Sequence, residues 1–223
     1  MIQLILIVLI VAFLLYFISR IRPAATQKID ESLFAVNSGF VNFYAIRTAA
    51  GVALFDAGAN PALAKRGLAK LGISPEEVTH VFLTHTDYDH AGGLKAFPNA
   101  KVYISKGEEC MINGQKARRG PLHNGKLSAY QTLEDGETVA VGDTAVEMRL
   151  MPGHTAGSAI YKIGADVFAT GDLLWYSSTG TPLPCMRLMN MDHNLELKSA
   201  EAGRSVIRGA KYVLTGHTGI RRR

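Results

Sequence analysis

The chain has 223 residues, 48% of them hydrophobic and 19% charged, so it can form one globular domain and is too apolar to be disordered. Five of the 24 basic residues lie at the two ends, and the others balance the 19 acidic residues, so the net charge of +5 does not belong to the body. A neutral body argues against a nucleic-acid partner, and two distant cysteines exclude a disulfide framework.

The first element is an uncharged apolar run, "MIQLILIVLIVAFLLYFI". As a helix this run would be about 27 Å long, close to the hydrocarbon thickness of a bilayer. A cleaved signal peptide and a buried core helix are the alternatives, but the basic residues follow the run, and it is apolar on every face. The sequence therefore favours a transmembrane anchor with its basic flank at residues 1–22, a linker at 23–32, and a body at 33–223 that faces the cytoplasm.

Strands and helices follow in alternation. "LFAVNSG" and "VNFYAIRT" predict a hairpin that turns at Ser38-Gly39, and "GVALFDAG" predicts a third strand. "NPALAKRGLAKLG" predicts a helix that begins after Asn60, with Pro61 in its first turn. "VTHVFLT" and "KVYIS" predict further strands, and residues 106–130 are expected to form a short helix and then a loop.

The second half predicts strands over "ETVAV", "TAVEMRLM", "SAIYKI" and "DVFATG", and then an irregular stretch at residues 172–194. A helix over "LELKSAEAGRSVIRGA" and a last strand over "KYVLTG" come next, and the terminal arginines are expected to form a solvated tail. Strands, a helix, more strands and another helix indicate an α/β fold with two sheets and helices outside them.

Side chains that bind metal ions follow several of these strands. The stretches are "DAG", "HTDYDH", "PGHTAGS", "TGD" and "TGHTG". Strand ends bring distant parts of a chain to one point. Imidazole nitrogens and carboxylate oxygens together suit zinc, iron or manganese, so the sequence predicts a metal centre at the strand ends.

The order of these motifs resembles the metallo-β-lactamase superfamily over nearly the whole body, from Val36 to Gly219. The resemblance implies an αββα sandwich with two divalent metal ions at one edge, between the sheets. It also implies the ligands: His85, His154 and position 87 for the first ion, Asp89, His90 and His217 for the second, and Asp172 between them.

Asp87 stands where the family motif has a histidine. A carboxylate can still bind an ion, and it favours harder ions than an imidazole does. Zinc is the first choice of ion, and iron or manganese are the alternatives. The other interpretation is that Asp87 turns away and leaves the first site weak or empty.

The resemblance implies a hydrolase in which a metal-bound hydroxide attacks a small or lipid-like ester, thioester or lactone, and the predicted anchor would hold this enzyme at a membrane. Asp89 would orient the hydroxide or take its proton. An iron-dependent oxidoreductase, similar to a persulfide dioxygenase, is the alternative, and a nuclease of the same fold ranks third. Trp175, Tyr176 and His193 are candidates for substrate contact, with packing or a surface position as their other interpretation.

Overall fold

Two β-sheets form the centre of the fold in the computed structural model, which describes residues 2–222, with side chains for 5–12 and 14–222. The first sheet has seven strands in sequence order, antiparallel from β1 to β4 and parallel from β4 to β7. Its strands are β1 (Gln27–Lys28), β2 (Leu33–Asn37), β3 (Asn42–Thr48), β4 (Gly51–Phe55), β5 (Val78–Phe82), β6 (Lys101–Ser105) and β7 (Gln131–Leu133).

The second sheet has six strands in the order β15-β14-β11-β10-β9-β8, and only the β11–β14 pair is parallel. A separate hairpin joins β12 and β13. The strands are β8 (Thr138–Val141), β9 (Thr144–Leu150), β10 (Ala159–Ile163), β11 (Val167–Gly171), β12 (Leu174–Tyr176), β13 (Pro182–Pro184), β14 (Tyr212–Thr215) and β15 (Gly219–Arg222).

Helices lie before and between these strands in the chain. Asn60 caps the second helix by accepting a hydrogen bond from the Leu63 amide, as the sequence predicts, and Asp192 caps the last one. The helices are α1 (Ile2–Arg20), α2 (Pro61–Ala69), α3 (Tyr88–Ala91), α4 (Glu109–Ile112) and α5 (His193–Val206), with 3-10 turns at Pro75–Glu77, Leu94–Ala96, Lys106–Glu108 and Arg187–Met189.

The order of helix and sheet layers follows from the strands, because successive side chains of a strand point to opposite faces of its sheet. On β3, Tyr44 faces the core between the two sheets, whereas Phe43 faces the core beneath α2. The core between the sheets also takes Phe82 from the first sheet and Tyr161 from the second, and a third core lies between the second sheet and α5. This order of helix, sheet, sheet and helix confirms the predicted αββα sandwich.

The N-terminal helix forms where the apolar run predicts it. Most of its described side chains are exposed, while Phe17 is half-buried and packs, with Ile21, against the cluster around Trp175. The predicted transmembrane anchor is not supported, because no helix among the described residues combines the length and apolarity needed to cross a bilayer. The orientation of the body stays a prediction.

Several elements differ from the sequence predictions. β1 lies inside the predicted linker and pairs with β2, so the first sheet begins before residue 33. Arg221 and Arg222 do not form the predicted free tail, because they lie in β15 and pair with β14, although Arg222 is exposed to solvent as predicted. The Arg221 guanidinium lies 4.9 Å from the ring centroid of Tyr176 and donates to the Ser177 carbonyl. Residue 223 lies outside the described residues.

Candidate metal centre

The predicted ligands lie at strand ends of both sheets. The first sheet contributes the segment from His85 to His90, which leaves the end of β5 and enters α3. The second sheet contributes His154 from the β9–β10 loop, Asp172 after β11, and His217 after β14. The four histidines are buried, as is Asp172. The structure thus brings the predicted residues from both halves of the chain to one point.

Two subsites can be distinguished within this cluster. In the first, the ligand atoms of His85, Asp87 and His154 lie within 4.8 Å of one another, and in the second those of Asp89, His90 and His217 do. In the first subsite, the Asp87 carboxylate is 3.3 Å from Nε2 of His154. In the second, the Asp89 carboxylate is 3.3 Å from Nε2 of His217.

Asp172 lies between the two subsites, as the resemblance implies. Its Oδ1 is 3.3 Å from Nε2 of His217 and 3.4 Å from Nε2 of His90. Its Oδ2 is 3.4 Å from Nε2 of His154. One carboxylate oxygen therefore faces each subsite.

A hydrogen-bond partner engages Nδ1 of each histidine and turns Nε2 toward the centre. The Asp56 carboxylate lies 2.8 Å from Nδ1 of His90, and the Phe40 carbonyl lies 2.8 Å from Nδ1 of His217. The Asn190 amide oxygen lies 3.1 Å from Nδ1 of His154, and the Thr84 hydroxyl lies 3.0 Å from Nδ1 of His85. This arrangement fixes ring orientation and leaves the other nitrogen available for an ion.

Unpaired polar atoms provide a test of whether an ion fits. Nε2 of His85, Nε2 of His90 and Oδ1 of Asp172 are buried, and none has a hydrogen-bond partner among the described residues. Buried polar atoms without partners are rare because they cost free energy. A cation in contact with these atoms would satisfy them, so the cluster, with one unpaired histidine nitrogen in each subsite and the carboxylate between them, fits a metal ion.

The charges of the cluster also favour a cation. Burial raises the pKa of the Asp172 carboxyl, but His217 and His90 lower it more, so that this pKa lies well below its usual range. Burial lowers the pKa of His217, but Asp172 and Asp89 raise it to about 9. The carboxylates are therefore ionised, and in the protein without an ion they hold protons on neighbouring imidazoles.

Asp87 faces the centre and has not turned away. Its carboxylate accepts hydrogen bonds from Nε of Arg118 at 2.8 and 2.9 Å and from the Asn124 amide at 3.1 Å. The sequence analysis missed Arg118, which lies in the irregular loop between α4 and β7. Whether Asp87 binds an ion stays a prediction.

The candidate substrate contacts lie beside the cluster. Trp175 is 1% exposed, and its ring centroid lies 4.9 Å from that of His217. Tyr176 is 5% exposed, and its carbonyl accepts a hydrogen bond from Arg22. His193 is linked by its Nδ1 to Asn190, which supports His154. Trp175 and Tyr176 are thus packed in the interior, and His193 is held by a hydrogen bond. A substrate contact by any of the three stays a prediction.

The sequence analysis missed Glu108 and Cys185, and it included Asp56 only as part of the "DAG" stretch, without a role. Asp56, in the "DAG" stretch, orients His90 and accepts hydrogen bonds from Thr84. Glu108 accepts hydrogen bonds from Thr86 and Thr155, which follow the ligands His85 and His154. Cys185 lies with its sulfur within 4.8 Å of ligand atoms of His154 and Asp172. Of these three residues, only Asp56 had a sequence signal, because it lies at the end of a predicted strand.

An αββα sandwich with buried histidines and aspartates clustered as in dinuclear centres defines a class of metal-dependent enzymes. The profile of the metallo-beta-lactamase superfamily matches residues 36–217, and the chain belongs to that superfamily. The enzyme class that the sequence predicts, a hydrolase of the metallo-beta-lactamase fold, is confirmed at the level of the family.

Individual relatives agree with this assignment. A hydroxyacylglutathione hydrolase from Gloeobacter violaceus is 34% identical over 141 residues, which cover 61% of this chain and 48% of the relative. A probable polyketide biosynthesis zinc-dependent hydrolase from Bacillus subtilis is 35% identical over 107 residues, which cover 47% of this chain and 42% of the relative. The chain thus spans about half the length of these curated relatives.

A solved structure supports the fold. The B3 metallo-beta-lactamase described as the first with an active-site glutamic acid superposes with a TM-score of 0.69, at 19% identity, over 92% of this chain and 85% of that chain. This similarity concerns the fold alone.

Proposed function

We propose that the protein is a metal-dependent hydrolase that acts on a small or lipid-like ester, thioester or lactone. The observation that carries this proposal is the set of buried ligand atoms without hydrogen-bond partners, on His85, His90 and Asp172. The hydrolase names of the two curated relatives support the class of reaction.

The chain's nitrogen and oxygen donors suit zinc first, with iron or manganese as alternatives. Asp89, His90, Asp172 and His217 would hold the ion of the second subsite. When bound, such an ion supplies Lewis acidity and a water of lowered pKa. The predicted count of two ions needs the first subsite as well, where His85, Asp87 and His154 are the donors.

Asp89 is the candidate residue for orienting the attacking water. Its side chain is 20% exposed, compared with 6% for Asp172, so a substrate or water reaches it more easily. One of its oxygens is directed to His217, and the other can accept a hydrogen bond from the water. The surrounding histidine rings exclude bulk solvent, which strengthens such interactions.

An iron-dependent oxidoreductase is the second candidate. Asp87 favours it, because a carboxylate in place of an imidazole makes the first subsite a harder set of donors. The two candidates differ in what they consume, since an oxygenase consumes oxygen and a hydrolase consumes only water.

The test is to load the full chain separately with zinc, manganese and iron(II) and to supply ester, thioester and lactone substrates. We expect hydrolysis that a chelator abolishes and zinc restores. His217→Ala should lose this activity, whereas His123→Ala, in an exposed loop, should keep it. A metal-loaded protein that hydrolyses none of these substrates would contradict the proposal, and oxygen uptake by the iron form would favour the second candidate.

A further inference from the structure

The loop between α4 and β7 places a positive charge at the first subsite. Nε of Arg118 donates to both oxygens of Asp87, at 2.8 and 2.9 Å. Nη2 of the same guanidinium lies 3.2 Å from Nε2 of His154 and donates to the Met189 carbonyl at 2.6 Å. The Arg118 side chain is only 13% exposed, so these contacts are shielded from solvent.

These contacts use the atoms that would bind the first ion. Nδ1 of His154 faces the amide oxygen of Asn190, so Nε2 is the nitrogen that would face an ion. The guanidinium lies 3.2 Å from that Nε2 and donates to both oxygens of Asp87. An ion bound at about 2.0–2.2 Å from the same atoms would collide with the guanidinium. Two of the three donors of the first subsite are therefore already occupied.

The second subsite has no such competitor. Nε2 of His90 and Oδ1 of Asp172 have no hydrogen-bond partner among the described residues. No lysine or arginine of the described chain forms an ion pair with Asp89 or Asp172. Imidazoles are therefore the cationic groups in direct contact with these two carboxylates, and Arg118 acts on Asp172 electrostatically without an ion pair.

We propose that Arg118 occupies the first subsite in place of a metal ion, so that the protein holds one ion, at Asp89, His90, Asp172 and His217. The inference rests on the proposed function and departs from the predicted count of two ions. It also gives a reason for aspartate at position 87. A carboxylate accepts two hydrogen bonds from one guanidinium and neutralises its charge, whereas an imidazole offers a single lone pair.

Arg119 provides a matched control, since it is the neighbouring arginine of the same loop and its side chain is exposed. The full chain would be stripped of metal and equilibrated with zinc, and bound zinc would be counted by mass spectrometry. Cadmium-113 NMR would report the number of distinct sites without any need for activity.

We expect about one zinc per wild-type chain and one cadmium resonance. His217→Ala should lose that ion, and His85→Ala should retain it. Arg118→Met should raise the count to about two and add a resonance, because His154 and Asp87 become free to bind. Arg119→Met should stay at about one.

Two ions in the wild type would overturn the inference, as would a single ion that His85→Ala removes and His217→Ala does not. An unchanged count in folded Arg118→Met would also overturn it. If Arg118→Met does not fold, the wild type and the two histidine variants still decide. A wild type that binds no ion would contradict the proposed function too, whereas one bound ion without hydrolysis would contradict the proposed function alone.

Discussion

Asp56 orients the imidazole ring of His90 so that its Nε2 faces the metal centre. Its carboxylate accepts hydrogen bonds from the Thr84 amide and hydroxyl and lies 2.8 Å from Nδ1 of His90. The backbone of Asp56 has a φ of 63°, a left-handed conformation that asparagine also tolerates. An asparagine there keeps the backbone but has one acceptor oxygen for three donors.

Asp56→Asn is therefore expected to weaken zinc binding about tenfold to hundredfold, as loss of an orienting partner does at other metal centres. Competition with a chromophoric chelator would measure the dissociation constant. The same substitution at Asp30, in a surface ion pair with Lys211, should leave the constant unchanged. Equal affinities for wild type and Asp56→Asn would show that Asp56 does not orient the ligand.

At single residues, the sequence predicts ligands better than it predicts their partners. The ligands stand directly after strands, and strand ends converge in any fold of this type. Arg118 and Glu108 lie in the polar segment at 106–130. Hydrophobic residues in this segment recur neither every 2 residues, as in a strand, nor every 3.6, as in a helix, so the sequence does not predict where its side chains point. Arg118 meets Asp87 across 31 positions of the chain, a contact that only the folded loop defines.

At the scale of elements, Glu108 holds two ligand loops together. One oxygen accepts hydrogen bonds from the amide and hydroxyl of Thr86, and the other from the Thr155 hydroxyl and the Gly157 amide. Thr86 lies in the loop that follows β5 of the first sheet, and Thr155 and Gly157 lie in the loop between β9 and β10 of the second sheet. Glu108 thus fixes the spacing of His85 and His154.

Glu108→Gln is expected to lower the free energy of unfolding by roughly 2–3 kcal/mol, because the amide NH2 group replaces an acceptor and leaves buried donors unpaired. Urea denaturation of the metal-free protein would measure the change. Glu109→Gln, one position along the chain and half-buried, should change it by less than about 0.5 kcal/mol. A Glu108→Gln variant as stable as wild type would mean that the loops do not depend on this carboxylate.

The last turns of α1 reach the metal centre through one aromatic side chain. Phe17 contacts Trp175 edge to face, with ring centroids 6.4 Å apart, and Trp175 packs on His217. Trp175 is the only tryptophan of the chain, so tryptophan fluorescence reports the surroundings of this one side chain.

Phe17→Ala should shift the emission of Trp175 to longer wavelength and destabilise the protein by about 1–2 kcal/mol, less than a fully buried phenylalanine would. Leu15→Ala is the control, because Leu15 is on the same helix and 64% exposed. An emission spectrum identical to wild type would mean that α1 does not cover Trp175 in solution.

Some elements could not be predicted because they lack a strand pattern. The hairpin of β2 and β3 was predicted from its β-branched and aromatic residues, and it forms with the expected turn. β13 is "PLP", and proline argues against a strand except at an edge, as in this two-stranded hairpin. β15 contains two arginines, and its backbone pairing with β14 has no hydrophobic signal.

At the scale of the whole molecule, the metal centre connects the two sheets. The second subsite takes Asp89 and His90 from the segment after β5 and Asp172 and His217 from the ends of β11 and β14. The ligand atoms of Asp89, His90 and His217 lie within 4.8 Å of one another, and Asp172 lies beside them. An ion at this subsite therefore binds only when both sheets are in place, and binding adds directly to the stability of the folded state.

Zinc at about 100 times its dissociation constant should add about 2.7 kcal/mol to the free energy of unfolding. For a chain of this size that corresponds to a rise of roughly 5–10 °C in the unfolding temperature. Differential scanning calorimetry with and without zinc would measure the rise, with magnesium as the control ion, because magnesium prefers all-oxygen ligands. His217→Ala should show little of the rise, since it removes a donor from the second subsite. A rise of equal size in that variant would mean that the stabilising ion binds elsewhere, and the link between the two sheets would then not depend on this centre.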